Sequence, residues 1–479
     1  AQLFFHISYL VIIRMKINLR HTYTFFFFLG IFFIPFNSYE GIPFLGEYRK
    51  DGSIVFFLIS FIVLLVNALL KSKIKIPAKN IFFQFLELFI IWLIISTFLN
   101  IPSVYENYLK QTSGFNRFFR QMISLSIALI LFITAYNIFS IYKLKNIFLL
   151  LRKVFLYSFI FISIYAFLEI LILVFNFTFL KSIFTLFDYF PFTETSLDFR
   201  FRRISSVSYE PPFLAIYLIT IAAWMFSYIL TSKGIIKFLP TIVLFLLTFF
   251  SGSRTALIVI LFQFIIFIWV AISINKIFQK LIQRFFLVFS SLIVLLFVFN
   301  GKEVSASIDT KIKSLNFKEN LTKSISNRSR FGIQYTSLLI FKENPIIGVG
   351  FGQQAYHAID KYPKWATHKN YEFTSYYLND NDTSFPPGFN LFTRLLAETG
   401  ILGFLIFMVF ILLIFYQCKK LISKRIGIEK IIPIVLLVSF IGFFINWLQF
   451  DSFRVFGFWI CLALLILQIQ QKKIINEKK

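Results

Sequence analysis

The chain has 479 residues, of which 58% are apolar, with a formal net charge of +26 and a mean hydropathy of +0.79. Soluble globular domains hold roughly 45–50% apolar residues, so the composition excludes a soluble fold and indicates a polytopic membrane protein. Its spans must be helices, because no water in the hydrocarbon layer is present to satisfy backbone amides.

A basic segment, residues 1–22, precedes the first apolar run. The fourteen residues before Met15 lack the small-residue cleavage site of a signal peptide. The apolar runs then follow as Tyr23–Tyr39, Val55–Leu70, Ile81–Leu99, Ile123–Ile141, Val154–Phe175 and Phe213–Leu230. Phe238–Phe250, Thr255–Ile274 and Phe285–Phe299 complete a block of nine over residues 23–299, with external loops at 100–120 and 176–212. A mostly polar stretch, residues 300–400, interrupts the pattern. Ile401–Tyr416, Ile431–Leu448 and Val455–Leu467 then supply three more runs within residues 401–470, before a basic tail, 471–479. The expectation is an all-α integral membrane protein of about twelve transmembrane helices, several reaching spanning length only with flanking residues. One large extracytoplasmic loop would separate helices nine and ten.

Charge sets the orientation. The loops expected inside carry clusters such as Lys71, Lys73, Lys75 and Lys79, or Lys419, Lys420, Lys424 and Arg425, against two acids, Glu429 and Glu477. Every short loop alternates as the positive-inside rule requires, which puts both termini in the cytoplasm and the long loop outside. The excess charge is therefore topological, and no nucleic-acid partner is expected. The two cysteines, Cys418 and Cys461, fall at the inner end of one span and within another, so no disulfide or Cys-based metal site supports the external loop.

The long loop has parts of its own. Ser329–Lys342 places Phe331, Tyr335, Leu338 and Leu339 at helical spacing, which predicts a helix lying on the membrane or on the bundle. Asn344-Pro345 stops it. Gly348, Gly350 and Gly352 follow with no preceding strand, so they suit a tight turn or a backbone cradle for phosphate rather than a dinucleotide site. Asn390–Gly400 leads into the tenth span.

External arginines carry the candidate chemistry. Arg200, Arg202 and Arg203 precede Glu210-Pro211-Pro212, Arg254 lies in the four-residue turn Ser251–Arg254, and Arg328 with Arg330 opens the predicted loop helix. A planar guanidinium holds phosphate or diphosphate through two parallel hydrogen bonds. Arginines from three segments at one membrane face are suited to a lipid-linked diphosphate whose tail stays in the bilayer; snorkelling to headgroups is the plainer reading. Glu210 and Glu398, each at the external edge of a span, are the candidate proton-transfer groups. Glu87 and Glu169 fall inside spans, where they suit a polar pairing between helices or, in a proton-coupled transporter, the proton path. His357 and His368 have no metal-ligand spacing; either is a candidate base. No metal or cofactor is expected.

Four segments in this order, SYEPPFLAIY, SGSRTALIVIL, NRSRFGIQYTSLLIFKENPIIGVGFG and NLFTRLLAETGILGF, resemble the O-antigen polymerase and O-antigen ligase superfamily (Wzy-like bacterial membrane glycosyltransferases). The core of the match covers Thr241–Phe410. The resemblance implies a GT-C-like membrane glycosyltransferase in the bacterial cytoplasmic (inner) membrane. It would transfer glycan from undecaprenyl diphosphate by metal-independent inversion. Arg254 with Arg328 or Arg330 would hold the diphosphate, helped by Arg200, Arg202 or Arg203, with Asn390 at the substrate. Glu210 or Glu398 would orient or deprotonate the acceptor. Implied partners are the undecaprenyl-diphosphate-linked oligosaccharide, membrane lipids, and a chain-length regulator and flippase of the same pathway. Ligases of this superfamily generally carry His just before the Asn of the last motif; here that position is Phe389. The departure favours a polymerase over a ligase, unless His357 or His368 reaches the same place in space. A lipid-linked-oligosaccharide flippase or transporter is the alternative of another class.

Overall fold

A computed structural model describes residues 18–70, 73–274, 324–425 and 427–476, with short stretches between 279 and 305. Of the ninth predicted run, residues 285–291 and 294 are described and helical and the rest lie outside the described residues, as does most of the opening of the long loop. The helices are α1 (Leu19–Phe32), α2 (Gly52–Leu70), α3 (Ile81–Leu99), α4 (Gly114–Phe139), α5 (Leu144–Leu173), α6 (Pro211–Thr231), α7 (Leu239–Phe250), α8 (Arg254–Ile274), α9 (Ile325–Glu343), α10 (Leu391–Lys424), α11 (Ile428–Asn446) and α12 (Phe456–Asn476). Among the described residues, eight helices are long and apolar enough to cross a membrane, and two further apolar helices are shorter. The protein is thus a helical, multi-pass membrane protein.

The most enclosed spans are α6 and α11, with Trp224, Trp447 and Trp459 fully buried among Phe rings. A buried amide joins them to α8. Gln263 Nε2 donates to the carbonyls of Ile219 on α6 and Val438 on α11, at 3.2 and 3.1 Å. Gly442 leaves the space, since a Cβ there would lie 2.1 Å from Gln263 Nε2. Small residues and side-chain amides of this kind hold helices together where lipid offers no hydrophobic driving force between them.

The face carrying the long loop is built around one break. α10 leaves helical geometry at Gly400 (φ 60°, ψ −167°), which leaves carbonyls without their usual partners. Each finds a donor. Val349 N–H gives to Ala397 O and Gly350 N–H to Glu398 O, Ser96 Oγ also reaches Glu398 O, and Trp92 Nε1 gives to Thr399 O at 3.0 Å. Residues 345–350 therefore lie as a strap against the break. A Cβ at Gly400 would sit 2.2 Å from Ile346 O, and one at Gly348 2.4 Å from the Glu398 carbonyl carbon. This corrects one reading of the glycine segment: the amides of Gly348, Val349, Gly350 and Phe351 all donate to protein acceptors, so they form the turn and do not cradle a phosphate.

α9 forms where its periodicity predicts and stops at Asn344-Pro345. It buries its small-residue face, Ser329, Gly332, Ile333, Thr336, Ser337 and Ile340. Tyr335 and Leu338 of the predicted apolar stripe face outward. Glu169 is buried on α5, and among the described residues its hydrogen-bond partners lie in a loop and not on another helix. It accepts the backbone amides of Ser205 and Ser206 at 3.3 and 2.7 Å, pinning the segment that follows the arginine cluster. Glu87 is exposed.

Gly400→Ala places a side chain against the Ile346 carbonyl in a left-handed conformation, a strain of order 1–3 kcal/mol before the clash is counted. The expected outcome, read by thermal unfolding in detergent, is a midpoint lowered by several degrees; Gly427→Ala, also at positive φ but with open space around it, loses less.

Candidate functional site

Arg203, Arg254 and Arg330 meet at one cavity of about 400 Å³ on the loop face. They come from three separate segments: the turn before α6, the first position of α8, and the second turn of α9. Pro211, Pro212, Ser253, Asn327, Gln449 and Phe450 complete much of the wall. Among the described residues that line it, none is a carboxylate. Ile216, Ile258 and Phe331 give the same cavity an apolar side.

Each arginine is placed by local structure. Asp198 builds the turn for Arg203, accepting the Phe201 amide at 2.9 Å and standing 3.6 Å from the Arg203 guanidinium. The Arg203 stem then crosses Gly252, where an added Cβ would come within 2.5 Å of Arg203 Cδ. Gly252 also takes φ 69°, so it serves both the turn and the neighbouring side chain. Arg254 opens α8, whose N-terminus is capped by Ser253 Oγ accepting the Ala256 amide at 3.2 Å. A helix start of this length adds favourable potential for an anion. Arg330 Nη1 donates to Gln449 Oε1 at 3.2 Å, and its guanidinium lies 5.2 Å from the Phe389 ring centre. Burial makes the Arg330 charge harder to hold; Glu372 and Tyr377 favour it and the charge of Arg254 opposes it. A dianion entering the cavity would relieve that opposition.

The other expected residues lie elsewhere. Arg200 and Arg202 are exposed on the turn and do not line the cavity. Arg328 faces the other way, its two terminal nitrogens donating to the carbonyls of His368 and Lys369 at 3.1 Å each. Glu210 is exposed and does not line the cavity, although Pro211 beside it in the chain does. Asn390 caps α10, its Oδ1 accepting the amides of Phe392 and Thr393, and its Nδ2 reaches Gln334 on α9 at 3.5 Å. Neither histidine lines the cavity: His357 lies 3.3 Å from Ser103 Oγ, and His368 is exposed.

Glu398 belongs to a buried ion cluster that sequence reasoning missed. Arg394 Nε donates to Glu398 Oε1 at 3.0 Å, Nη1 to the Asp451 carbonyl at 2.8 Å and Nη2 to Gln121 Oε1 at 2.8 Å. Gln121 donates in turn to Glu47, whose other oxygen accepts from Ser124 at 3.0 Å and Ser452 at 3.3 Å. Asp451 Oδ2 accepts the Gly388 amide at 2.5 Å. The segment between α1 and α2, α4, α10 and the α11–α12 loop are thereby tied beside Phe389, the residue under Arg330. Burial works against the Glu47 charge, but Arg117, Arg394, Arg454 and the Gln121 hydrogen bond outweigh it, holding its carboxyl below the usual range. The four-residue spacing of Arg394 and Glu398 on a helix was the available signal.

The fold and the cavity define a class: a multi-pass membrane protein with a cationic site at one membrane face, half polar and half apolar. Residues 239–408 match the family model described as O-Antigen ligase, which bears out the resemblance to the O-antigen polymerase and ligase superfamily and supports a polysaccharide-related membrane enzyme. The match takes in Arg254, Arg328, Arg330, Asn390 and Glu398, and leaves Arg203 and Glu210 outside it. No curated protein gives a significant match to the chain.

Removing Arg394 leaves Glu398 buried without its partner, at a cost of about 3–5 kcal/mol. Arg394→Met is expected to lower the thermal midpoint sharply, and the double variant with Glu398→Leu to recover part of the loss. Because the folded pKa of Glu47 is depressed, its contribution is present at neutral pH and disappears as pH falls through the folded value. The drop in melting temperature on acidification from about pH 5 down through the carboxylate range is expected to be smaller in Glu47→Gln than in the wild type.

Proposed function

We propose that the protein polymerises undecaprenyl-diphosphate-linked oligosaccharide repeat units at the outer face of the cytoplasmic membrane, yielding an O-antigen, capsular or other surface polysaccharide. The observation that carries this reading is the cavity shared by Arg203, Arg254 and Arg330. Its cations suit a diphosphate, and its apolar side, with Ile258 exposed on α8, suits the first isoprene units of a lipid carrier. In the transfer, an acceptor hydroxyl oxygen bonds to the anomeric carbon as the bond from that carbon to the diphosphate oxygen breaks. The electron pair leaves on the diphosphate. Charge grows there as the bond opens, so guanidinium groups fixed beforehand stabilise the transition state more than the bound substrate.

Glu210, next in the chain to the cavity-lining Pro211, is the carboxylate proposed to receive the acceptor proton. Glu398 is proposed as a positioning residue, acting through Arg394 on the segment that carries Phe389. Arg200 and Arg202 are assigned to headgroup contact, and Arg328 to holding the loop around His368.

The second reading, transfer of finished glycan to lipid A core or protein, is favoured by the description of the matching family model. Phe389 stands against it. In this superfamily the ligases carry an imidazole there, and here an aromatic ring without a titratable group meets Arg330.

A deletion strain separates the two readings when its surface glycan is resolved by size. One repeat unit on the normal anchor is the outcome expected here; long chains held on the lipid carrier would mean ligase. Arg254→Ala and Arg330→Ala are each expected to slow transfer about 10²-fold or more in membranes that hold normal amounts of protein. Arg328→Ala is expected to lower thermal stability with a much smaller effect on rate.

A further inference from the structure

The far end of the bundle holds a second cavity, of about 740 Å³, that the proposed reaction does not use. α2 begins at Gly52 beside the loop-face residue Asp51 and runs for 19 residues, about 28 Å at 1.5 Å per residue. The cavity lies where it ends. Arg20 from the start of α1 and Lys73 and Lys75 from the segment after α2 line it, and among its described lining residues there is no carboxylate. Tyr23 and Leu64 form an apolar floor.

Lys75 does not stand on a loose end. Asn137, almost fully buried on α4, holds the backbone of Lys75 from both sides. Its Oδ1 accepts the Lys75 amide at 2.8 Å and its Nδ2 donates to the Lys75 carbonyl at 3.0 Å. Lys75 Nζ reaches Ser140 Oγ at 3.3 Å. The opposite wall is equally fixed, with Ser60 Oγ on α2 donating to Tyr23 O on α1 at 2.7 Å. Lysines that merely snorkel need no such clamp.

The rest of the lining identifies the kind of ligand. Leu64 and Ala68 on α2, with Ile74 and Ile141, give the cavity an apolar side. A free phosphate would use the cations alone, whereas a phospholipid uses both features, and basic pockets between membrane helices are suited to anionic headgroups. We propose that this cavity is a specific site for an anionic phospholipid, its phosphate held by Arg20, Lys73 and Lys75 and its acyl chains lying along α2. The site is independent of the arginine cavity and of the reaction assigned there.

The test is native mass spectrometry of the full chain released from detergent with phosphatidylglycerol or phosphatidylcholine. A neutralised variant, Arg20→Gln with Lys73→Gln and Lys75→Gln, is set beside a control, Lys143→Gln with Lys145→Gln and Lys419→Gln. The altered side chains are exposed in both sets, and unchanged melting without lipid verifies the fold. Wild type and control are expected to retain one more phosphatidylglycerol than the first variant, with no such difference for phosphatidylcholine. Equal retention in all three proteins, or equal loss in both variants, would overturn the site. So would glycerol phosphate raising the wild-type melting temperature as far as phosphatidylglycerol does.

Discussion

Three guanidinium groups face one cavity with no carboxylate among its described lining residues, and the rest of the loop face is arranged around that repulsion. Like charges separate when their side chains are free to do so, so each arginine has to be held. Arg203 is held by Asp198 and by the space left at Gly252, Arg254 by a four-residue turn, and Arg330 by Gln449 and the Phe389 ring. The energy of bringing the charges together is met by folding, before any ligand arrives. An anionic group entering such a site meets donors already in place, and this is the condition under which electrostatics lowers a barrier rather than only tightening binding.

The supporting structure reaches well beyond the cavity. Glu169, deep in α5, fixes Ser205 and Ser206, and through them the turn that presents Arg203. The cluster of Glu47, Gln121, Arg394, Glu398 and Asp451 fixes the other side, ending at the Gly388 amide one residue before Phe389. Between them the strap at residues 345–350 satisfies the carbonyls freed where α10 breaks. Buried charges are costly alone and better tolerated when paired, so these groups register elements that apolar packing by itself would let slide.

Much of this was legible in the sequence. Hydropathy placed the described spans, but α4 starts at Gly114 rather than Ile123 and α5 at Leu144 rather than Val154: Arg117 and Gln121 are drawn into the ion cluster and Arg152 reaches Ser227 and Thr231 on α6. The stop at Asn344-Pro345 and the helix before it followed from local chemistry. That arginines of these three segments gather was readable from their type and their segments. Which arginine of each group faces the cavity was not, because turn geometry decides it for residues 200–203. For Arg328 and Arg330 the answer lay in the spacing, since residues two apart on a helix point in nearly opposite directions. The Asp451 and Glu47 contacts link distant segments, and no local pattern announces them. Glycine raised a different difficulty, since a positive φ at Gly348 and Gly350 fits a phosphate cradle and a strap equally well until the partners of the amides are known.

The most direct test of the central claim is an electron cryo-microscopy map of the protein in nanodiscs with undecaprenyl diphosphate. The diphosphate is predicted to lie within hydrogen-bonding distance of Arg203, Arg254 and Arg330, with the first isoprene units against Ile258. A diphosphate ordered elsewhere on the protein, with the arginine cavity empty, would contradict the account.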